Sequence, residues 1–158
     1  MKLKKIILTL AVMTLFVSST DVCMASAFNK KHPSDYDIGT TYTKAVKTEK
    51  PILALFYADW CGYCLKFMPK FNILNLMYKD KYAFVMVNVD EQSNKALIGE
   101  NQISGYPTLY ILDPKYDNKV HIAQGTYGDL GLLRKELDRY SRIREMLDSV
   151  VAKDSSSK

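Results

Sequence analysis

Two hydrophobic patterns alternate along the chain: short unbroken apolar runs, and longer stretches in which apolar residues recur at helical spacing. Ile52-Leu53-Ala54-Leu55-Phe56-Tyr57 lacks any charged position and is too short for most helices, so it predicts a strand buried on both faces. Tyr82–Val89, ended by Asp90-Glu91, predicts a second buried strand, and Thr108–Leu112 a third. The cluster Asp113-Pro114-Lys115-Tyr116-Asp117-Asn118 is a turn that reverses the chain into Val120–Ala123, so the last two strands should form an antiparallel hairpin. Between the first two strands, Leu65, Met68, Ile73, Leu76 and Met77 recur at helical spacing up to about Lys79. They predict a helix that starts at or near Cys61 and is kinked at Pro69, where a backbone donor is lost. Asn94–Asn101 predicts a short helix, as does Thr40–Lys47 with Tyr42, Ala45 and Val46. After Gly128, with Asp129 as its cap, the stripe Leu130, Leu133, Leu137, Tyr140, Ile143, Leu147 and Val150 predicts a long helix whose last turns project beyond the sheet.

Both ends of the chain depart from these patterns. Lys2, Lys4 and Lys5 precede the apolar run Ile6–Val17, and a polar stretch then ends in Ala25-Ser26-Ala27. That order is a secretory signal peptide over residues 1–27, with a run of 12 residues, short of the roughly 20 needed to span a bilayer. The expected location is therefore exported, periplasmic or extracytoplasmic, with no stable membrane insertion once the signal is cleaved and a membrane anchor if it is not. Val22 stands before Cys23 where a bacterial lipobox wants a small residue, which argues against lipidation there. Residues 28–39 are polar without apolar periodicity and read as a flexible leader, residues 40–152 as one domain, and residues 153–158 as a disordered tail.

Composition changes this picture once the signal is set aside. The 158 residues include 22 basic and 17 acidic side chains; cleavage removes three lysines and one aspartate, so 19 remain against 16 and the net charge falls from +5 to +3. An excess that small, with acids alternating among the bases of the C-terminal segment, argues against a nucleic-acid partner. Cys23 also leaves, so the three cysteines of the precursor become two in a compartment where disulfides persist.

Those two carry the chemistry. Cys61-Gly62-Tyr63-Cys64 falls between a buried strand and a helix, where two thiols three residues apart can close a small ring and reopen it. Unpaired amides and the dipole of a helix N-terminus stabilise a thiolate at Cys61, making it the nucleophile, while Cys64, one turn inside, resolves a mixed disulfide. A purely static disulfide would close too short a loop to restrain the unfolded chain much. A zinc site would need two more ligands, and only His32 and His121 remain apart from carboxylates, so no metal is assigned. A cysteine protease would need a histidine base, and His121 has no supporting motif.

Tyr57-Ala58-Asp59-Trp60-Cys61-Gly62-Tyr63-Cys64 resembles the active-site segment of the thioredoxin superfamily, Pro69 falls where that family kinks its active-site helix, and Gly105-Tyr106-Pro107-Thr108 resembles its cis-proline loop. The resemblance spans roughly Thr40 to Tyr140. It implies a thioredoxin-like α/β fold, a central mixed β-sheet flanked by helices, with the cysteine pair at the C-terminal end of the first central strand. It also implies that Pro107 is cis and lies against the cysteines, that the Tyr106 backbone pairs with a bound substrate segment, and that no cofactor is needed. Trp60 and Tyr63 offer an apolar contact surface for substrate or shield the pair. Asp59 reads first as an exposed, solvated carboxylate, with a helix cap or a modulator of thiol ionisation as the alternatives.

Two departures bear on mechanism. Thioredoxins proper place a buried acid two residues before the position of Tyr57; Leu55 stands there, which leaves the proton of Cys64 to water or another group. The Gly62-Tyr63 dipeptide resembles that of periplasmic disulfide isomerases, whereas the Tyr-Ala-Asp-Trp-Cys lead-in resembles reductase domains that pass electrons outside the cytoplasmic membrane. The expected function is an exported thiol–disulfide oxidoreductase acting on cysteine-containing protein substrates, as a reductase fed by a membrane electron donor. The alternatives are an isomerase or oxidase of the same fold, or a redox-inactive binding or assembly module.

Overall fold

A computed structural model describes residues 30–156; the expected signal peptide, Cys23, Phe28 and Asn29 lie outside the described residues. Four strands, β1 (Ile52–Tyr57), β2 (Ala83–Asn88), β3 (Thr108–Asp113) and β4 (Asn118–Ile122), form one sheet in the order β2-β1-β3-β4. β1 pairs parallel with β2 and antiparallel with β3, which pairs antiparallel with β4. The helices are α1 (Tyr42–Val46), α2 (Gly62–Tyr78), α3 (Lys95–Gly99) and α4 (Leu130–Ser156). This is the mixed sheet flanked by helices that the patterns imply.

The unbroken apolar run of β1 has a direct cause. Leu53, Leu55 and Tyr57 pack on one face of the sheet with Phe67, Met68, Phe71 and Leu74 of α2 and Leu133 and Leu137 of α4. Ile52, Ala54 and Phe56 pack on the other with Ala45 of α1 and Leu97 of α3. Every residue of β1 is buried, so no polar position is tolerated in it. Leu55, in the place of the missing acid, is a fully buried core residue.

Three expectations need correction. In α2 the buried positions are Cys64, Phe67, Met68, Phe71, Leu74 and Tyr78, while Ile73, Leu76 and Met77 are exposed. Apolar residues surround this helix nearly evenly, so spacing alone leaves its phase open, and the two phenylalanines win the core because they bury more surface. α2 continues on both sides of Pro69. The helix α4 runs on to Ser156, into the segment expected to be disordered, because no Gly or Pro interrupts residues 132–156; Val150 and Val151 are exposed there, as a projecting end requires.

The third correction concerns the leader. Residues 33–35 form a 3-10 turn, Pro33 and Ile38 are buried, and the Thr40 N–H donates to the Phe84 carbonyl at 2.8 Å, bridging Thr40 to Val85 at the edge of β2. The segment from His32 to Gly39 is thus docked, with isolated apolar anchors in place of a periodic stripe.

On the hairpin side, the Tyr127 hydroxyl accepts from the Leu109 N–H at 2.7 Å and donates to the Ile122 carbonyl at 3.0 Å, joining two residues that face each other across β3 and β4. Its ring lies 5.3 Å from that of Phe67. Tyr127→Phe keeps the ring but leaves the buried Leu109 N–H unpaired, and is expected to cost about 1–3 kcal/mol, read as a lower urea midpoint at unchanged slope.

Candidate functional site

The parallel crossover from β1 to β2 passes through α2, so the C-terminal end of β1 feeds directly into the N-terminus of that helix. Cys61 occupies its N-cap with extended backbone, and the Cys64 N–H donates to Cys61 Sγ at 3.1 Å. The two cysteines form a disulfide across the first turn, with Cα atoms 5.2 Å apart. They differ in access: Cys61 is 7% exposed and Cys64 0%. A reagent arriving from solvent meets Cys61 first. Once the pair is reduced, a thiolate at Cys61 would sit where the helix presents its free amides and positive end, which stabilises negative charge.

Pro107 follows Tyr106 through a cis peptide bond, and the Tyr106 carbonyl oxygen lies 3.7 Å from Cys61 Sγ. The loop before β3 therefore sits against the sulfur that solvent can reach. The Thr108 hydroxyl donates to the Gly105 carbonyl at 2.6 Å, bracing this loop. Trp60 packs edge-on against Tyr106, with ring centroids 5.9 Å apart, and its indole N–H donates to Asp90 at 2.9 Å. Trp60 is 71% exposed and Tyr63 77%, so neither ring shields the pair by being buried over it; both stand open beside Cys61. Gly62 begins α2, and a Cβ added there would meet no atom within 4 Å, so nothing in the fold requires glycine at that position. A groove of about 340 Å³ opens next to the pair, with Tyr63 and Phe67 on one side and Tyr106, Pro107 and Tyr127 on the other.

All of the residues singled out from the sequence, Trp60, Cys61, Gly62, Tyr63, Cys64, Tyr106 and Pro107, are thus brought to one end of the sheet. Asp59 differs from expectation. It is half-buried; one carboxylate oxygen accepts from the Ser34 N–H at 3.0 Å and the other from the Asn88 side chain at 3.3 Å. Its backbone carbonyl lies 3.4 Å from His32 Nδ1. Asp59 is a clamp between the docked leader and the end of β2, a role with no local sequence signal because its partners are 25 and 29 residues away.

Two hydroxyls near this end keep their protons at neutral pH. Burial pushes Tyr57 up to about 12, with the Asp59 and Glu91 carboxylates acting in the same direction. Burial likewise pushes Tyr127 up to about 12, against the opposing effect of its hydrogen bond with the Leu109 N–H. Neither is a base for the cysteines at physiological pH.

Comparison with known proteins agrees with this geometry. The family model described as thioredoxin matches residues 36–134. Protein disulfide-isomerase A4 of Mus musculus is 31% identical over 118 residues, which cover 73% of this chain and 18% of that protein. The chloroplastic thioredoxin-like protein HCF164 of Arabidopsis thaliana is 38% identical over 72 residues, 46% of this chain and 28% of that one. The chain spans about a fifth of the length of the disulfide-isomerase relatives it matches. Among solved structures, the first thioredoxin domain of mouse protein disulfide-isomerase A4 aligns with a TM-score of 0.53 at 24% identity over 63% of this chain and 69% of that one. The germline-specific thioredoxin Deadhead of Drosophila melanogaster aligns at 0.52 and 21% identity over 69% of this chain and 94% of that one. Those two likenesses speak to the fold alone; with the family match across most of the described domain, they leave one assignment, and the chain belongs to the thioredoxin family.

Proposed function

We propose that the chain is an exported thiol–disulfide oxidoreductase that reduces protein disulfides. The observation that carries this reading is the asymmetry of the pair: Cys61 caps a helix at the surface, beside an open groove, while Cys64 is fully buried one turn behind it. The Cys61 thiolate attacks one sulfur of a substrate disulfide, forming a mixed disulfide and releasing one substrate thiolate. Cys64, deprotonated, then attacks Cys61 Sγ, the second substrate thiolate leaves, and the Cys61–Cys64 disulfide remains. Two electrons have passed to the substrate, and a membrane electron donor restores the dithiol. Leu55 supplies no carboxylate for the Cys64 proton and the Tyr57 hydroxyl holds its own, so that proton passes to water or to another group.

Trp60, Tyr63 and the Tyr106-Pro107 loop would hold the substrate. The backbone of Tyr106 lies beside Cys61 Sγ, so a substrate segment extended along it brings its own sulfur within reach. The export reading rests on the charged, apolar and small-residue order of residues 1–27. The reducing direction rests on the Tyr57-Ala58-Asp59-Trp60-Cys61 lead-in.

A disulfide isomerase is the second reading, favoured by the Gly62-Tyr63 dipeptide and by the names of the relatives. The two part on the reduction potential. A reductase of this kind should hold its pair below about −200 mV, in the range of glutaredoxins and thioredoxin, and be found reduced in the cell. A potential at or above about −180 mV, the value typical of protein disulfide isomerase, would contradict the reducing direction.

A further inference from the structure

The groove beside Cys61 has a charge that the exchange chemistry does not use. Lys66 and Lys70 project along it from the second and third turns of α2, and no carboxylate lines it among the described residues. Four residues apart on one helix, two ammonium groups repel each other by a few tenths of a kcal/mol. Neither takes part in an ion pair among the described residues; Lys66 instead stands over the exposed Tyr63 ring, 5.8 Å from its centroid. The carboxylates engaged by the active-site segment are committed elsewhere, Asp59 to Ser34 and Asn88, and Asp90 to the Trp60 indole. The wall that a substrate segment must pass is therefore cationic and uncompensated, over an apolar floor made by Phe67 and Tyr127.

We infer that Lys66 and Lys70 are specificity-determining residues that select disulfides whose cysteine is flanked by acidic residues, the substrate itself supplying the missing carboxylates. This rests on the oxidoreductase reading above and names the substrate class of the same site. The contacts form at an open rim, so they act mainly on encounter and are screened by salt.

The test uses the pre-reduced protein and three peptide dimers, each joined by one disulfide and identical except for two Asp, two Asn or two Lys beside the cysteine. The Asp peptide should react fastest and the Lys peptide slowest, with a spread of about tenfold at low ionic strength that shrinks to about twofold at 0.5 M salt. Flanking acids raise the pKa of the leaving thiol and slow exchange intrinsically, so an advantage for the Asp peptide has to come from the protein. Lys66→Gln with Lys70→Gln should flatten the spread. Lys44→Gln with Lys47→Gln, which removes the same net charge from the region of α1, should preserve it. Equal rates for the three peptides, or equal flattening by both double variants, overturns the inference while leaving the oxidoreductase reading intact. No exchange with any peptide overturns that reading, and the inference with it.

Discussion

Cys61→Ser should abolish exchange with protein and peptide disulfides, to below about 1% of the unsubstituted rate. The thiolate is the attacking species, and a serine hydroxyl at the same N-cap does not ionise at neutral pH. Cys64 cannot take over, because it is fully buried behind Cys61 and the helix positive end is spent on the outer position. Reduction of a disulfide peptide, followed by thiol release with dithiothreitol as the electron source, reads the effect directly. Retention of more than about a tenth of the activity would move the nucleophile away from Cys61. The substitution changes one atom at the helix cap, so the far-ultraviolet spectrum and urea midpoint should remain close to those of the reduced parent.

The largest expected loss of stability is at Gly39. Its φ is +79°, a conformation that L side chains rarely adopt, and a Cβ built there would fall 2.0 Å from the Phe84 carbonyl oxygen and 2.6 Å from its carbon. Both are backbone atoms of β2, which is pinned between β1 and the Thr40 bridge and cannot step aside. Gly39→Ala combines the left-handed penalty with a clash against rigid structure, and should cost at least about 3 kcal/mol in urea denaturation. It should also free the Thr40 amide, which now donates to Phe84, to exchange with solvent. A loss under about 1 kcal/mol would mean that the leader is not docked on β2 in solution.

These two sites also mark how far the sequence can be read. The central strands β1 and β3 were legible because burial on both faces leaves unbroken apolar runs too short for most helices: six consecutive apolar positions from Ile52 to Tyr57 match β1 residue for residue. The cysteine pair was legible because two cysteines three residues apart sit at a strand-to-helix junction, and the Tyr106-Pro107 loop because it precedes a third apolar run. The phase of α2 was not, since apolar residues lie on every side of it and only the competition between Phe67 and Phe71 and the smaller side chains decides which face is buried. Nor was the docking of residues 32–39. It depends on one glycine, on two separated apolar anchors, Pro33 and Ile38, and on a carboxylate, Asp59, reaching an amide 25 positions back in the chain. Long-range contacts of single residues leave no period. Lys66 and Lys70 were equally silent, because only the fold places them with Pro107 along one groove.

The division of labour between the cysteines is tested most directly by trapping. Cys64→Ala, reduced and mixed with a disulfide-linked peptide, should accumulate a mixed disulfide that mass spectrometry of the digested product places on Cys61, because the thiol that would release the substrate is gone. Cys61→Ala treated in the same way should give no adduct. An adduct formed on Cys64 in the second variant, or none on Cys61 in the first, would contradict the assignment of Cys61 as the attacking thiol and Cys64 as the resolving one.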